Sequence, residues 1–212
     1  RAEGLIPPEM TGIGGTWGSV SEAGEVTTLN VVYMSGYDCT DVWHLTRAEM
    51  EGRRQALLAI EAMRRYVPGF EHARLRNYGM TLGTRESRHI AGHYCLSGHD
   101  VLNQARFAHS IGIFPEFLDG NGVLVLPTTG RYFQVPYEIL LPQGVQNLLV
   151  AGRCVAADRM AYAAVRNMMC CTVTGQGAGV AAAVSLKDGV TCAGVRLERV
   201  QAALRRQGVR ID

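Results

Sequence analysis

The chain has 212 residues, 47% of them hydrophobic, and a formal net charge of +2. That is enough apolar material for one domain, or for one large and one small lobe. The near-neutral charge, with basic residues scattered along the chain, excludes a nucleic-acid or other polyanion-binding surface. The longest apolar runs, such as 123–126 and 147–151, are too short to cross a bilayer, so no membrane contact is expected. No signal-peptide pattern follows Arg1. The six cysteines form no C-x-x-C pair and no zinc-like spacing. They read as reduced thiols of a cytoplasmic protein, and no metal site is expected.

Residues 1–25 are glycine-rich. The stretch 11–18 (T-G-I-G-G-T-W-G) is not a dinucleotide loop, because Trp17 stands where the third glycine belongs. A loop is predicted there. Residues 27–35 read as a strand, ended by Gly36-Tyr37-Asp38. A helix begins at Thr46, with Glu49 completing a capping box. Met50, Leu57, Leu58 and Ile60 fit its apolar face, and Arg53, Arg54 and Arg64 the other. Pro68-Gly69 ends it. Residues 78–94 read as one or two strands with a charged centre at 85–89. A helix from about Ser97 carries Val101, Leu102, Ala105 and Phe107. Strands follow at 122–126, 132–140 and 148–151, with Pro127 and Pro136 at edges or bends. Helices are predicted over 161–168, 175–187 and 195–206. There is no internal repeat. Strands in the middle and helices at the end fit a mixed α+β fold carrying pieces of a larger α/β one.

The segment 147–183 is the most informative. Gly152 lets backbone come close to a ligand. Gly175, Gly177 and Gly179 precede an alanine-rich run, where a helix N-terminus presents N–H groups to negative charge. Arg153 and Arg166 can neutralise phosphates, and Asp158 can accept from sugar hydroxyls. Close helix packing explains the same small residues equally well.

Three stretches carry a resemblance. Residues 82–100 (L-G-T-R-E-S-R-H-I-A-G-H-Y-C-L-S-G-H-D) resemble the G-x-R-E-x-R-x-I-x-G-x-Y-x-L-x-x-x-D stretch of the FAD-dependent oxidoreductase family. Residues 135–153 (V-P-Y-E-I-L-L-P-Q-G-V-Q-N-L-L-V-A-G-R) and the G-Q-G-A-G-V-A-A-A run after them are similar to that family's return strand and closing helix. The segment 38–70 fits as well, so the likeness spans about 27–190.

The resemblance implies FAD as cofactor and a Rossmann-type domain interrupted by a substrate domain. Residues 1–140 would be mostly that inserted, mixed-sheet domain. Residues 141–190 would be the return strand and helix, and 191–212 a C-terminal amphipathic helix. The N-terminal G-x-G-x-x-G unit is absent from this sequence. Either a second chain supplies it in a hetero-oligomer, or that half was lost; a two-chain assembly is expected.

The residues implied to hold the cofactor are Gly152, Arg153, Asp158, Arg166, Gly175, Gln176 and Gly177. Those implied for chemistry are His93, Tyr94 and Arg88. His93 or Tyr94 would take a proton while a C–H bond of a small organic substrate loses hydride to flavin N5. On a strand, His89, His93 and Cys95 would share a face. Arg88 would reach flavin or a substrate carboxylate, or pair with Glu86 between lobes. His72 and His109 would be bystanders on helix surfaces or ends. The alternatives are a flavin-dependent reductase of a carboxylate-bearing double bond, discriminated by Arg85, Arg88 and Arg131, and a non-catalytic subunit completing a partner's site.

Overall fold

The computed structural model describes residues 3–6, 13–120 and 123–212. Two compact units emerge, Arg1–Ser87 and Arg88–Asp212. No packing break falls at residue 140, because the segments on either side of it share one core. Thr11, Gly12 and Gly122 lie outside the described residues.

The first unit is a hairpin and a helix. Strands β1 (Ile13–Val20) and β2 (Val26–Val32) pair antiparallel, with an irregularity between Ile13 and Trp17. The predicted loop over 11–18 is therefore corrected from Ile13 onward: cross-strand pairing overrides the glycine content. Helix α1 (Val42–Tyr66) starts four residues before Thr46. Its cap is Asp41, whose carboxylate accepts from the Trp43 and His44 amides at 2.7 and 3.0 Å. Thr46 instead donates its hydroxyl to the Val42 carbonyl at 2.8 Å. The buried face is Ala48, Gln55, Ala59, Ala62 and Met63. Small alanines let β2 approach, and Val31 packs against Ala59. The expected apolar face is not the one used, since Met50 and Leu57 are 68% and 54% exposed.

The second unit is built on strands β3 (Ser110–Pro115) and β6 (Tyr132–Pro136), paired antiparallel. A smaller hairpin joins β4 (Leu118–Gly120) and β5 (Val123–Val125). All the two-stranded sheets among the described residues are antiparallel. The expected mixed sheet survives only as an isolated parallel bridge between Leu96 and Ala157. Residues 78–94 form no strand apart from the Gly92–Pro142 bridge. The run 148–151 also forms none: only Val150 reaches back, its amide donating to the Leu140 carbonyl at 2.9 Å.

Helix α2 (Gly98–Leu102) stops sooner than expected but starts as read, with Ser97 and Asp100 closing a capping box. Helix α3 (Arg159–Val165) is wholly buried from Ala161 to Val165. Helix α4 (Met168–Asp188) begins seven residues before the predicted start at 175. Its buried face, including Cys170, Thr174, Gly177 and Ala181, lies against β3. By length and composition α4 passes as a bilayer-crossing helix, which corrects the reading that every apolar run is too short. Here one face of it belongs to the core, as in a core helix of a folded domain. Helix α5 (Leu197–Arg206) covers α4 and β3 with Val200 and Leu204.

The core of this unit is continuous, running through Leu96, Ile111, Phe133, Tyr137, Tyr162 and Leu204. Two glycines are required by packing. A Cβ on Gly177 would meet Ile111 at 2.5 Å, and one on Gly112 would meet Val173 at 2.6 Å. The C-terminal tail is also fixed, since Ser110 Oγ and Gln134 Nε2 both donate to the Ile211 carbonyl at 3.1 and 3.0 Å.

Candidate functional site

Strand pairing creates one cleft in the second unit. The β3–β6 register opposes Ser110 to Pro136, so the residues just outside the ladder, His109 and Glu138, become neighbours. The Tyr137 amide donates to the His109 carbonyl at 3.0 Å and holds that corner. His109 Nδ1 then pairs with Glu138 Oε1.

The segment 92–94 crosses the same corner. The His93 amide donates to the Leu141 carbonyl at 2.9 Å, and Gly92 bridges to Pro142. Gly92 is needed there, because a Cβ would meet Ala156 Cβ at 2.5 Å and the Tyr94 carbonyl at 2.9 Å. The result is a cleft of about 270 Å³ lined by His93, Tyr94, Phe107, Ala108, His109, Pro136 and Glu138.

Within it, Tyr94 donates its hydroxyl to Asp100 Oδ2 at 2.8 Å. Burial, with the Asp100 carboxylate beside it, pushes the phenol up to about 12. Asp100 is held below the usual carboxylate range although burial opposes this. The Ser97 hydroxyl and amide and the Tyr94 hydroxyl, all donating to it, outweigh burial. Tyr94 is therefore a fixed hydrogen-bonding group and not a proton acceptor near neutral pH. His93 differs. Its ring is exposed, and among the described residues its imidazole has no hydrogen-bond partner. Phe107 stands edge-on to Tyr94, with centroids 5.5 Å apart, and supplies an apolar wall with Pro136.

His93 and Tyr94 both line the cleft, from a loop crossing and not from the strand on which His89, His93 and Cys95 were expected to share a face. His89 is not with them: its ring lies tilted against Tyr162, with centroids 4.3 Å apart. Arg88 is exposed and does not line the cleft. His109, Phe107 and Glu138 were missed as site residues. His109 is a member of the cleft and no bystander. The only sequence signal was its place beside a strand that the glycine in Ser110-Ile111-Gly112-Ile113-Phe114 obscured.

The residues expected to hold a cofactor divide into two groups. Gly152 turns with φ +74°, its amide donates to Thr174 Oγ1 on α4 at 3.0 Å, and a Cβ there would meet nothing. Arg153 beside it is exposed, and its charge opposes the effect of burial, which raises the Cys171 thiol. Gly175 and Gly179 follow on the exposed side of α4, each with open space at the Cβ position. Together these residues form an open surface of backbone and small side chains.

The others are engaged in the fold. Asp158 caps α3, accepting from the Met160 and Ala161 amides at 2.9 and 2.7 Å, and its second oxygen accepts from Gly98 at 2.9 Å. Arg166 is held by the Asp119 carboxylate at 2.9 Å and by the Asp119 carbonyl. Gln176 donates to Gln207 at 2.8 Å. Gly177 is buried against Ile111. Gly175, Gln176 and Gly177 also lie inside α4, not at its start, so their amides bond within the helix. The expected N–H cradle at residue 175 is corrected accordingly. Met168, Met169 and the threonines that follow look unlike a helix start, yet the tertiary core makes them helical.

The protein-family comparison gives a match to the FAD dependent oxidoreductase model over residues 9–204. No curated protein and no solved structure matches the chain. The family match covers nearly all of the sequence that forms both units and the cleft, and the chain belongs to the FAD-dependent oxidoreductase family.

Proposed function

We propose that this chain supplies the substrate side, and part of the flavin-facing surface, of an FAD-dependent dehydrogenase or oxidase. The observation that carries the reading is the cleft in which a free imidazole, His93, stands beside a phenol, Tyr94, that keeps its proton.

The open surface at Gly152, Arg153, Gly175 and Gly179 fits a large flat cofactor. Backbone can come close where no Cβ intervenes, and an exposed arginine suits phosphate or ring charge. When bound there, FAD would supply a two-electron acceptor for a substrate C–H bond. His93 would take the proton from the substrate hydroxyl or amine. Tyr94, fixed by Asp100, would hold the same substrate atom by a hydrogen bond and set its direction. Phe107 and Pro136 would keep water off one side. Asp158 and Arg166 act at a distance, by fixing α3 against α2 and against β4.

A second polypeptide carrying the phosphate-binding half completes the site in this reading. Support comes from the uncovered face of α4, where Met168, Met169 and Leu186 are 86%, 73% and 84% exposed beside Gly175 and Gly179. The run 148–151, which has no neighbouring strand among the described residues, supports it too. The carboxylate-substrate alternative has no support in the cleft. Arg131 is paired with Glu116, and the Arg85 guanidinium lies 5.8 Å from the Tyr33 ring centroid in the first unit.

The test is co-purification with a polypeptide bearing the missing half, followed by visible flavin absorbance and reduction of an artificial electron acceptor. Flavin retained by the pair, with turnover lost in His93→Ala, supports the reading. A colourless pair removes it.

A further inference from the structure

The cleft's lining has a chemistry that selects among substrates. Its polar members are two imidazoles, a phenol and one carboxylate: His93, His109, Tyr94 and Glu138. No arginine or lysine lines it. Glu138 is half-buried, with 29% of its side chain exposed, so its charge acts in partly desolvated surroundings. A carboxylate or phosphate entering there would meet Glu138 and find no fixed cation.

The remaining wall is apolar and flat. Phe107 and Pro136 face the space, and the edge-to-face contact between Tyr94 and Phe107 fixes the aromatic pair. One side therefore offers a plane for ring C–H groups, and the rim offers acceptors and donors for hydroxyls. Glu138 Oε1 is taken by His109, and Oε2 has no hydrogen bond among the described residues. Tyr94 Oη donates to Asp100 and keeps lone pairs to accept with. About 270 Å³ accommodates one substituted six-membered ring.

We infer that the cleft takes a neutral, ring-shaped molecule bearing several hydroxyl groups, stacked on Phe107 and Pro136, with its hydroxyls shared among His93, Tyr94 and the His109–Glu138 pair. The inference rests on the reading of this cleft as the substrate site. Were FAD bound beside the cleft, it would supply the two-electron acceptor for the C–H hydride of one ring carbinol, while His93 would take that carbinol's O–H proton. A C=O bond forms, and the substrate is oxidised by two electrons. The product is a ring ketone.

The experiment is NMR on the full flavin-free chain, ligand-observed for affinity and protein-observed for the imidazoles, with myo-inositol as the neutral ring and cyclohexanecarboxylate as an anionic ring of similar size. The expected result is myo-inositol binding with a dissociation constant on the order of millimolar. It should shift the imidazole signals of His93 and His109. Phe107→Ala should weaken it about three- to tenfold. Glu138→Gln should raise cyclohexanecarboxylate binding by removing the repelling charge. Tighter binding of the acid than of the polyol to the wild-type chain overturns the inference, as does a polyol that leaves both imidazoles unmoved. Polyol binding without turnover in the assembled flavoprotein would remove the proposed function and the oxidation, and leave the inferred binding of the neutral ring standing. Turnover of an acid with no polyol binding would do the reverse.

Discussion

The two units of the chain are held together in different ways. In Arg88–Asp212 a continuous core runs through Phe133, Tyr137, Tyr162 and Leu204, and every surrounding helix contributes to it. Among the described residues of Arg1–Ser87, Val31 and Ala59 form a small buried cluster with Ile6, Leu29 and Val32 against it, and Ala48, Ala62 and Met63 of α1 are also buried. The long helix there is decorated instead by exposed ion pairs, Glu51–Arg54 at 2.6 Å and Glu61–Arg65 at 2.8 Å. Such pairs contribute about 0.3–0.5 kcal/mol each. Trp43, Met50 and Leu57 stay exposed at heptad spacing on α1. The lesson is that the second unit is self-supporting, and it holds both the cleft and the open glycine surface. The first, among its described residues, leaves Trp43, Met50 and Leu57 of α1 exposed.

The sharpest way to break this contrast is truncation of the ring at the centre of the second core. Phe133 is fully buried, so Phe133→Ala should cost about 3–5 kcal/mol in denaturant unfolding. A loss under about 1 kcal/mol would mean the core is not continuous. Next comes the contrast between two glycines of α4. Gly177→Val drives a branched side chain into Ile111 and should cost about 1–3 kcal/mol. Gly175→Ala meets open space and should leave the fold as stable or up to about 1 kcal/mol more so, while lowering flavin retention in the assembled protein. Equal effects at the two positions would erase the distinction between packing and cofactor surface.

Asp158→Ala removes a cap and the link to Gly98, and should cost about 1–2 kcal/mol by thermal unfolding, with flavin content per folded molecule unchanged. Selective flavin loss at full stability would return Asp158 to the cofactor. For Tyr94 the folded phenol sits at about 12, above the ordinary 10.0. The stability from its protonated form is present in full below pH 10 and lost as pH rises toward 12. Burial raises the Tyr137 phenol as well, so ultraviolet titration should show more than one late-ionising tyrosine, and in Asp100→Asn the Tyr94 signal should move earlier while that of Tyr137 stays. The smallest effect belongs to the first unit: Leu57→Ala should change stability by under about 0.5 kcal/mol.

Much of the scaffold was legible locally. Ser97 and Asp100 mark a helix start through reciprocal hydrogen bonds within four residues, and Pro68-Gly69 marks a helix end. Strand β2 follows from its β-branched residues, although it ends at Val32 and not at 35, and the terminal helix follows from its amphipathic pattern. The start of α4 was not legible, since Asn167 makes no side-chain cap and Thr172, Val173 and Thr174 are poor helix formers. Burial against β3 decides there. Half of the cleft was legible as His93 and Tyr94. The other half depends on the β3–β6 register, which brings His109 to Glu138 across 29 residues of chain. No local pattern encodes that distance.

The most direct test of the central claim is turnover and flavin content of His93→Ala, measured on the flavin-loaded assembly with the proposed second polypeptide. We predict unchanged flavin content and a turnover reduced about 10²–10⁴-fold with a cyclic polyol as substrate. Turnover within about twofold of wild type at equal flavin content would contradict the account, because a proton acceptor cannot be removed without slowing the step it serves.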